Sequence, residues 1–226
     1  MEVAGRAKKN AEAAGKQGES GQAEEHLSLL SEKSGETDAG ASLGGTKSAP
    51  KPLNEGEEAG QDLSGRLVQL LKKAELTIST AESCTGGLLA SSLVDVPGVS
   101  AVFREGFVTY SNKAKRRTLG VSKSTIRKDG AISEQTAKEM ATGAALAADT
   151  DIALSVTGNA GPDADEEKPV GLVYIGIYAK GKVRVERHSF TGSRQEIRKA
   201  AVEAAFSLGI KAVEKILEKE KTAGKD

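Results

Sequence analysis

Ser83 and Cys84 sit in the segment Ala81-Glu82-Ser83-Cys84-Thr85-Gly86-Gly87, directly after the β-branched run LTIST at 76–80. Either side chain is a nucleophile of the kind that adds to a carbonyl carbon. A strand that turns into a Gly-opened helix presents unpaired backbone N–H groups and the positive end of a helix dipole. Such a turn can hold a phosphate or stabilise an oxyanion. The competing reading of the same residues is helix capping by Ser83 or Thr85, with Gly86 and Gly87 serving close packing.

A serine nucleophile needs a base, and the usual one is histidine. The chain has two histidines. His26 lies in a low-complexity stretch, and His188 alternates along KVRVERHSF as an ordinary strand residue would. Lysine is the remaining candidate. In Thr109-Tyr110-Ser111-Asn112-Lys113-Ala114-Lys115, after the apolar run GFVTY, a helix starting at Asn112 would put Lys115 one turn beyond Ser111. From there it can point back to the strand end. It acts as a base only when neutral, so burial or neighbouring cations must lower its pKa. Tyr110 could relay a proton or orient the pair. Spacing alone favours a solvated basic face made of Lys113, Lys115, Arg116 and Arg117.

The third cluster, Thr157-Gly158-Asn159-Ala160-Gly161-Pro162, follows DIALSV (151–156). Two glycines and a proline fix a tight loop whose amides could contact a ligand. No Gly-Lys-Ser/Thr follows and the GxGxxG spacing is absent, so neither nucleotide-loop pattern applies. Asp163, Asp165, Glu166 and Glu167 read as an exposed acidic loop in preference to a metal site. Arg194 and Arg198 fall in the first turns of the last helix, where they contact either an anionic group or solvent.

The elements that must position these clusters are regular only from about residue 61. Leu63, Leu67, Val68, Leu70 and Leu71 give a helix over 61–74, and the spacing predicts a further helix over 85–94. SEQTAKEMATGAALAA (133–148) is an alanine-rich amphipathic helix. VGLVYIGIYAK and KVRVERHSF are two strands joined at Lys180-Gly181 as a hairpin. Ser193-Arg194-Gln195-Glu196 is a capping box opening a helix to about residue 219. Helices alternating with short apolar strands imply an α/β fold, a three-layer α/β/α sandwich with a mixed sheet. The three clusters then lie at strand ends, where open α/β sheets place ligands.

Residues 1–60 contain no Phe, Trp, Tyr or Ile, and are expected to form a disordered low-complexity extension. A short helix around EEHLSLLSEK is the one element it could hold. The domain proper is expected over 61–220, with a frayed C-terminus at 221–226. The extension carries 7 basic and 11 acidic residues and the remainder 25 and 21, a mild positive balance suited to an anionic small ligand. Overall, 32 basic and 32 acidic residues argue against a nucleic-acid partner. No apolar stretch approaches the roughly 18 residues of a membrane helix, so no membrane partner is expected. One cysteine excludes an intramolecular disulfide and a four-cysteine zinc site. The start, MEVAGRAKKNAEAAGK, lacks the apolar core of a signal peptide, and a cytoplasmic protein is the expectation. Alanine-rich faces at 137–148 and 200–206 would suit a homo-oligomer or packing against the sheet.

Taken together, TAESCTGG (80–87), GFVTYSNKAK (106–115), DGAISEQTAKEMA (129–141) and SVTGNAGP with EEKPVGLVYIGI (155–177) resemble the C-terminal domain of the CinA competence/damage-inducible family. The resemblance runs in matching order from about residue 62 to 218. That family includes bacterial nicotinamide-mononucleotide deamidases. The resemblance implies an amidohydrolase converting nicotinamide mononucleotide and water to nicotinate mononucleotide and ammonia in pyridine-nucleotide salvage, with no metal or organic cofactor. It implies Ser83 as nucleophile in preference to Cys84, and Lys115 with Tyr110 as the remainder of a Ser-Lys type site. It places Thr85, Gly86, Gly87, Asn112, Thr157, Gly158, Arg194 and Arg198 around a small nucleotide substrate.

Three features depart from the family pattern. Its loop commonly continues AGPxGG, whereas Pro162 here is followed by Asp163-Ala164-Asp165, whose acidic charge disfavours a nearby phosphate. Asn159 stands where an aliphatic residue is expected. The 1–60 segment stands where longer members carry a domain resembling molybdopterin-binding proteins. Two other readings are a nucleotide-binding sensor without turnover and an amidase for a different carboxamide. A third, more distant, is a scaffold acting through the 1–60 segment.

Overall fold

The structure, a computed structural model, describes residues 62–165 and 167–223. The expectations for the 1–60 extension and its short helix lie outside the described residues. The leucines spaced for a helix form α1, Leu63–Lys73, whose first turn is capped by the Asp62 carboxylate accepting from the Gly65 amide at 2.9 Å. Then come β1 (Ile78–Glu82), α2 (Leu88–Val94), a single 3₁₀ turn (Val99–Ala101) and β2 (Phe103–Val108). They are followed by α3 (Asn112–Leu119), α4 (Lys123–Asp129), α5 (Glu134–Ala148), β3 (Ile152–Gly158), β4 (Leu172–Ala179), β5 (Lys182–Ser189) and α6 (Arg194–Ala223).

The five strands form one mixed sheet in the order β2-β1-β3-β4-β5. β1 lies parallel to both β2 and β3, while β4 and β5 return antiparallel. The expected hairpin forms: Lys180 (φ 43°) and Gly181 (φ 84°) occupy the left-handed conformations that a tight two-residue connection needs. Helices cover both faces. Ile78, Ile152, Leu154 and Val156 pack with residues of α1, α2 and α6 in the larger apolar cluster. Ala81 and Ala153 pack with Phe107, Leu119, Met140, Ala144 and Ala145 on the opposite face. That second face is built from small side chains, so α5 lies close to the sheet. A Cβ at Gly176 would meet the Ala137 carbonyl at 2.8 Å, and Ser155 Oγ donates to the same carbonyl at 2.7 Å. The alanine stripe of α5 (Ala137, Ala141, Ala144, Ala145) is buried within this fold, so sheet packing accounts for it.

The expected helix starts are well marked. Ser133 caps α5 through Thr136, and in the 193–196 box the Ser193 amide donates to Glu196 Oε2 at 2.7 Å. α6 runs to Ala223, into the segment expected to fray. Two of the differences from the sequence expectation fall beside the first polar cluster. β1 starts and ends two residues later than LTIST, because Ala81 and Glu82 remain in the ladder. The helix expected from Thr85 begins at Leu88, for the reason given below. Among the described residues, no helix is long and apolar enough to cross a membrane.

Candidate active site

The parallel strands β1, β2 and β3 end on the same edge of the sheet, and the three polar clusters meet there. They line a cavity of about 540 Å³ whose walls include Ser83, Cys84, Tyr110, Asn112, Lys115, Thr157, Gly158, Asn159 and Arg194. Because β4 and β5 are antiparallel, β5 also finishes at this edge and delivers the start of α6, with Arg194, to the same cavity.

At the cavity wall Lys115 Nζ stands 2.9 Å from Ser83 Oγ. Lys115 is 1% exposed and Ser83 is 9% exposed, so the solvated basic face is not the fate of this lysine. Its position follows from local structure: Ser111 caps α3 by accepting from the Ala114 amide at 3.1 Å, and the first turn then aims Lys115 back at the end of β2. There Nζ also donates to the carbonyls of Thr109 at 3.0 Å and Tyr110 at 3.2 Å. Two carbonyls and the serine hydroxyl thus lie within hydrogen-bond reach of Nζ.

Tyr110 contributes differently from the expectation. Its backbone carbonyl, not its phenol, meets Lys115. The phenol is 60% exposed and accepts from Arg194 Nη2 at 3.2 Å. Arg194 Nη1 donates to the Gly161 carbonyl at 2.6 Å, so this arginine ties the end of β2 to the loop after β3. Thr157, in the cavity wall, is 1% exposed and its hydroxyl donates to the Ala131 carbonyl at 2.7 Å.

Four of the expected substrate-binding residues do not line the cavity. Thr85 is fully buried. The Gly86 amide donates to the Ser83 carbonyl at 3.1 Å. The Gly87 amide is taken by Glu82, a carboxylate with no exposed surface that also accepts from Leu89 and Ala90. Arg198 donates to the Thr85 carbonyl through Nη2 at 2.6 Å and Nε at 3.3 Å. The protein's own carboxylate thus fills the anion site that the turn was expected to offer, and α2 starts only at Leu88 because Gly86 (φ 58°) and Gly87 (φ 96°) are left-handed. Among the described residues, the amides of Thr85 and Ala160 donate to no acceptor and the Cys84 amide faces its own thiol; Cys84 and Ala160 line the cavity.

Cys84 is no rival to Ser83. Burial pushes its thiol up to about 11. Since a raised pKa lowers the thiolate fraction, its alkylation at pH 8 is expected to run roughly 100-fold slower than that of a free thiol. A rate matching free cysteine would contradict the burial seen here. His188 stacks on Phe190 with ring centroids 5.3 Å apart, away from the cavity, as an ordinary strand residue. Among the described residues, no group of three or more His, Cys, Asp or Glu side chains could hold a metal ion.

Sequence reasoning passed over Glu82 and the role of Asn159. Asn159 Nδ2 donates to the carbonyls of Asp163 (3.0 Å) and Lys168 (3.1 Å), and Oδ1 accepts from the Gly161 amide at 2.8 Å. The available signal was its departure from an aliphatic residue inside a Gly-rich turn, a position where Asx side chains commonly bond nearby backbone.

Comparison with known proteins agrees with this fold. The family model "CinA C-terminal domain" matches residues 60–213. A CinA-like protein from Kosmotoga olearia is 55% identical over 154 residues, covering 68% of this chain and 36% of that protein. A putative competence-damage inducible protein from Clostridium beijerinckii is 53% identical over 133 residues, covering 58% and 32%. The chain therefore spans about a third of the length of these curated relatives. Among solved structures, the competence/damage inducible protein CihA from Agrobacterium tumefaciens superposes with a TM-score of 0.65 at 44% identity, covering 67% of this chain and 93% of that one. A CinA superfamily protein from Enterobacter cloacae gives a TM-score of 0.67 at 31% identity, covering 74% and 99%.

Proposed function

The chain belongs to the CinA C-terminal domain family, and from the serine–lysine pair it carries we propose that it is an amidohydrolase converting nicotinamide mononucleotide and water to nicotinate mononucleotide and ammonia. The observation that carries this reading is the 2.9 Å contact between buried Lys115 Nζ and Ser83 Oγ at a cavity able to hold a small ligand.

Neutral Lys115 takes the Ser83 proton as Oγ adds to the carboxamide carbon. The negative charge that develops on the carboxamide oxygen is met by backbone amides. The Cys84 and Ala160 N–H groups, both in the cavity wall, are the donors. Lys115, now charged, returns the proton to the departing nitrogen, ammonia leaves, and Ser83 holds the nicotinoyl group as an ester. Water then adds to that ester with Lys115 again as base, releasing the carboxylate and restoring the serine. The quaternary pyridinium withdraws electrons from the carboxamide and eases both additions.

Asp163 and Asp165 line the same cavity and favour a second reading on the substrate. Two carboxylates complement a cationic ring and oppose a phosphate dianion. The reaction would then be the same on a cationic carboxamide without phosphate. Ammonia release from nicotinamide mononucleotide and from the corresponding riboside tests both readings. Release from the mononucleotide with the higher kcat/KM supports the first. A riboside preference of more than about tenfold, some 1.4 kcal/mol, supports the second. Release from neither, by folded protein that still binds the nucleotide, leaves a binding module and refutes the amidohydrolase.

A further inference from the structure

We propose that Asn159 is a positioning and specificity-determining residue, a latch that holds the loop between β3 and β4 and, through it, the Arg194–Tyr110 wall of the cavity. The inference deepens the amidohydrolase reading, since it concerns how the same cavity grips its carboxamide substrate.

Asn159 is 6% exposed and every polar group it has is engaged in closing the loop. Its backbone amide donates to the Leu172 carbonyl at 2.9 Å, and its own carbonyl accepts from Gly171 at 2.8 Å, pinning the loop's two ends together. Its side chain then reaches across the interior to the carbonyls of Asp163 and Lys168 and to the Gly161 amide. An aliphatic side chain could make none of these three bonds.

The Gly161 link carries the effect to the site. The Gly161 amide is held by Asn159 Oδ1 and its carbonyl by Arg194 Nη1, so Asn159 fixes the orientation of the acceptor that orients the arginine. Arg194 in turn holds the Tyr110 phenol. A continuous run Asn159–Gly161–Arg194–Tyr110 therefore joins the β3–β4 loop, the first residue of α6 and the end of β2 around one cavity. The loop needs such a fastening. It turns back on itself at Asp165–Lys168, with Glu167 at φ 58° in the left-handed region that a residue with a Cβ adopts at a cost.

The Ser83 amide donates to the Val156 carbonyl, and Lys115 sits in the first turn of α3. Ala160, whose amide is a proposed oxyanion donor, lies beside Asn159 in the latched loop, so the latch should act on substrate grip and on that donor together. Two measurements on Asn159→Leu test it. Measured where the variant is fully folded, cleavage after Glu167 by a glutamate-specific protease is expected to accelerate about tenfold, because loss of the loop's internal bonds favours local opening. KM for the carboxamide substrate is expected to rise about tenfold, with a smaller fall in kcat from the displaced Ala160 amide. Unchanged cleavage overturns the latch. Accelerated cleavage with KM unmoved, or a fall confined to kcat, overturns its role in substrate grip. Absence of turnover in the unmodified chain refutes the amidohydrolase reading, and the cleavage rate still decides the latch.

Discussion

Replacing Ser83 by alanine is expected to lower ammonia release from nicotinamide mononucleotide by on the order of 10⁴–10⁶-fold, since it removes the atom to which the acyl group is transferred. Lys115→Met, close to lysine in length but without the amine, is expected to lose about 10²–10⁴-fold, the usual contribution of a positioned acid–base group. The two losses should not add. A base with no serine to deprotonate has nothing to do, so the double variant should match Ser83→Ala within a few-fold. Additive losses would mean that the 2.9 Å contact is not a working pair. Retention of more than a tenth of the activity by Ser83→Ala would remove the serine from the mechanism. Folding is monitored separately, because methionine at 115 leaves the Thr109 carbonyl without the bond it now accepts, at a cost of about 1–3 kcal/mol. Ser83→Ala vacates little volume and is expected to melt with the unmodified protein.

Much of the fold could be read from local pattern, because here local pattern and tertiary environment agree. The leucine spacing of α1, the serine caps of α3 and α5, the 193–196 box and the Lys180-Gly181 turn each depend on residues within a few positions. Lys115 shows where that logic stops. Its neighbours Lys113, Arg116 and Arg117 make the run look solvated, and tertiary packing buries the one lysine that faces Ser83. The resemblance to a family, not the spacing, pointed to it. The start of α2 was misplaced for a related reason. Gly86 and Gly87 look like the opening of a helix with free amides, yet Glu82, five residues before Gly87, returns its carboxylate to that turn. An acidic residue inside a buried strand carries no periodic signal, and its partner amides are identical in every sequence. α4 was missed because SKSTIRKD has too few apolar residues to show a period; its buried Thr125 hydroxyl instead donates to Glu139 at 2.7 Å.

Glu82 carries the largest expected effect on stability. It has no exposed surface, and its two oxygens accept from Gly87 and Leu89 at 3.0 Å and from Ala90 at 2.9 Å. Three donors compensate the cost of taking a carboxylate out of water. They also couple the residue beside the nucleophile to the first turn of α2, so the turn bearing Ser83 is fastened at both ends. Glu82→Ala leaves three N–H groups without an acceptor and opens a cavity, and is expected to cost roughly 3–5 kcal/mol. Glu82→Gln is the informative comparison. Its single carbonyl oxygen can still serve Gly87 and Leu89, while its NH₂ faces the Ala90 amide donor to donor, so about 1–3 kcal/mol should be lost. If the carboxylate also sets the position of Ser83, the glutamine variant should show a fall in kcat of about tenfold or more, measured where it is fully folded, because small displacements of a nucleophile are costly. Denaturant unfolding of the two variants, with kcat of the glutamine form, separates the roles. Equal stability of all three proteins would mean that solvent or other groups satisfy these amides. Loss of stability with kcat intact would confine Glu82 to holding the helix.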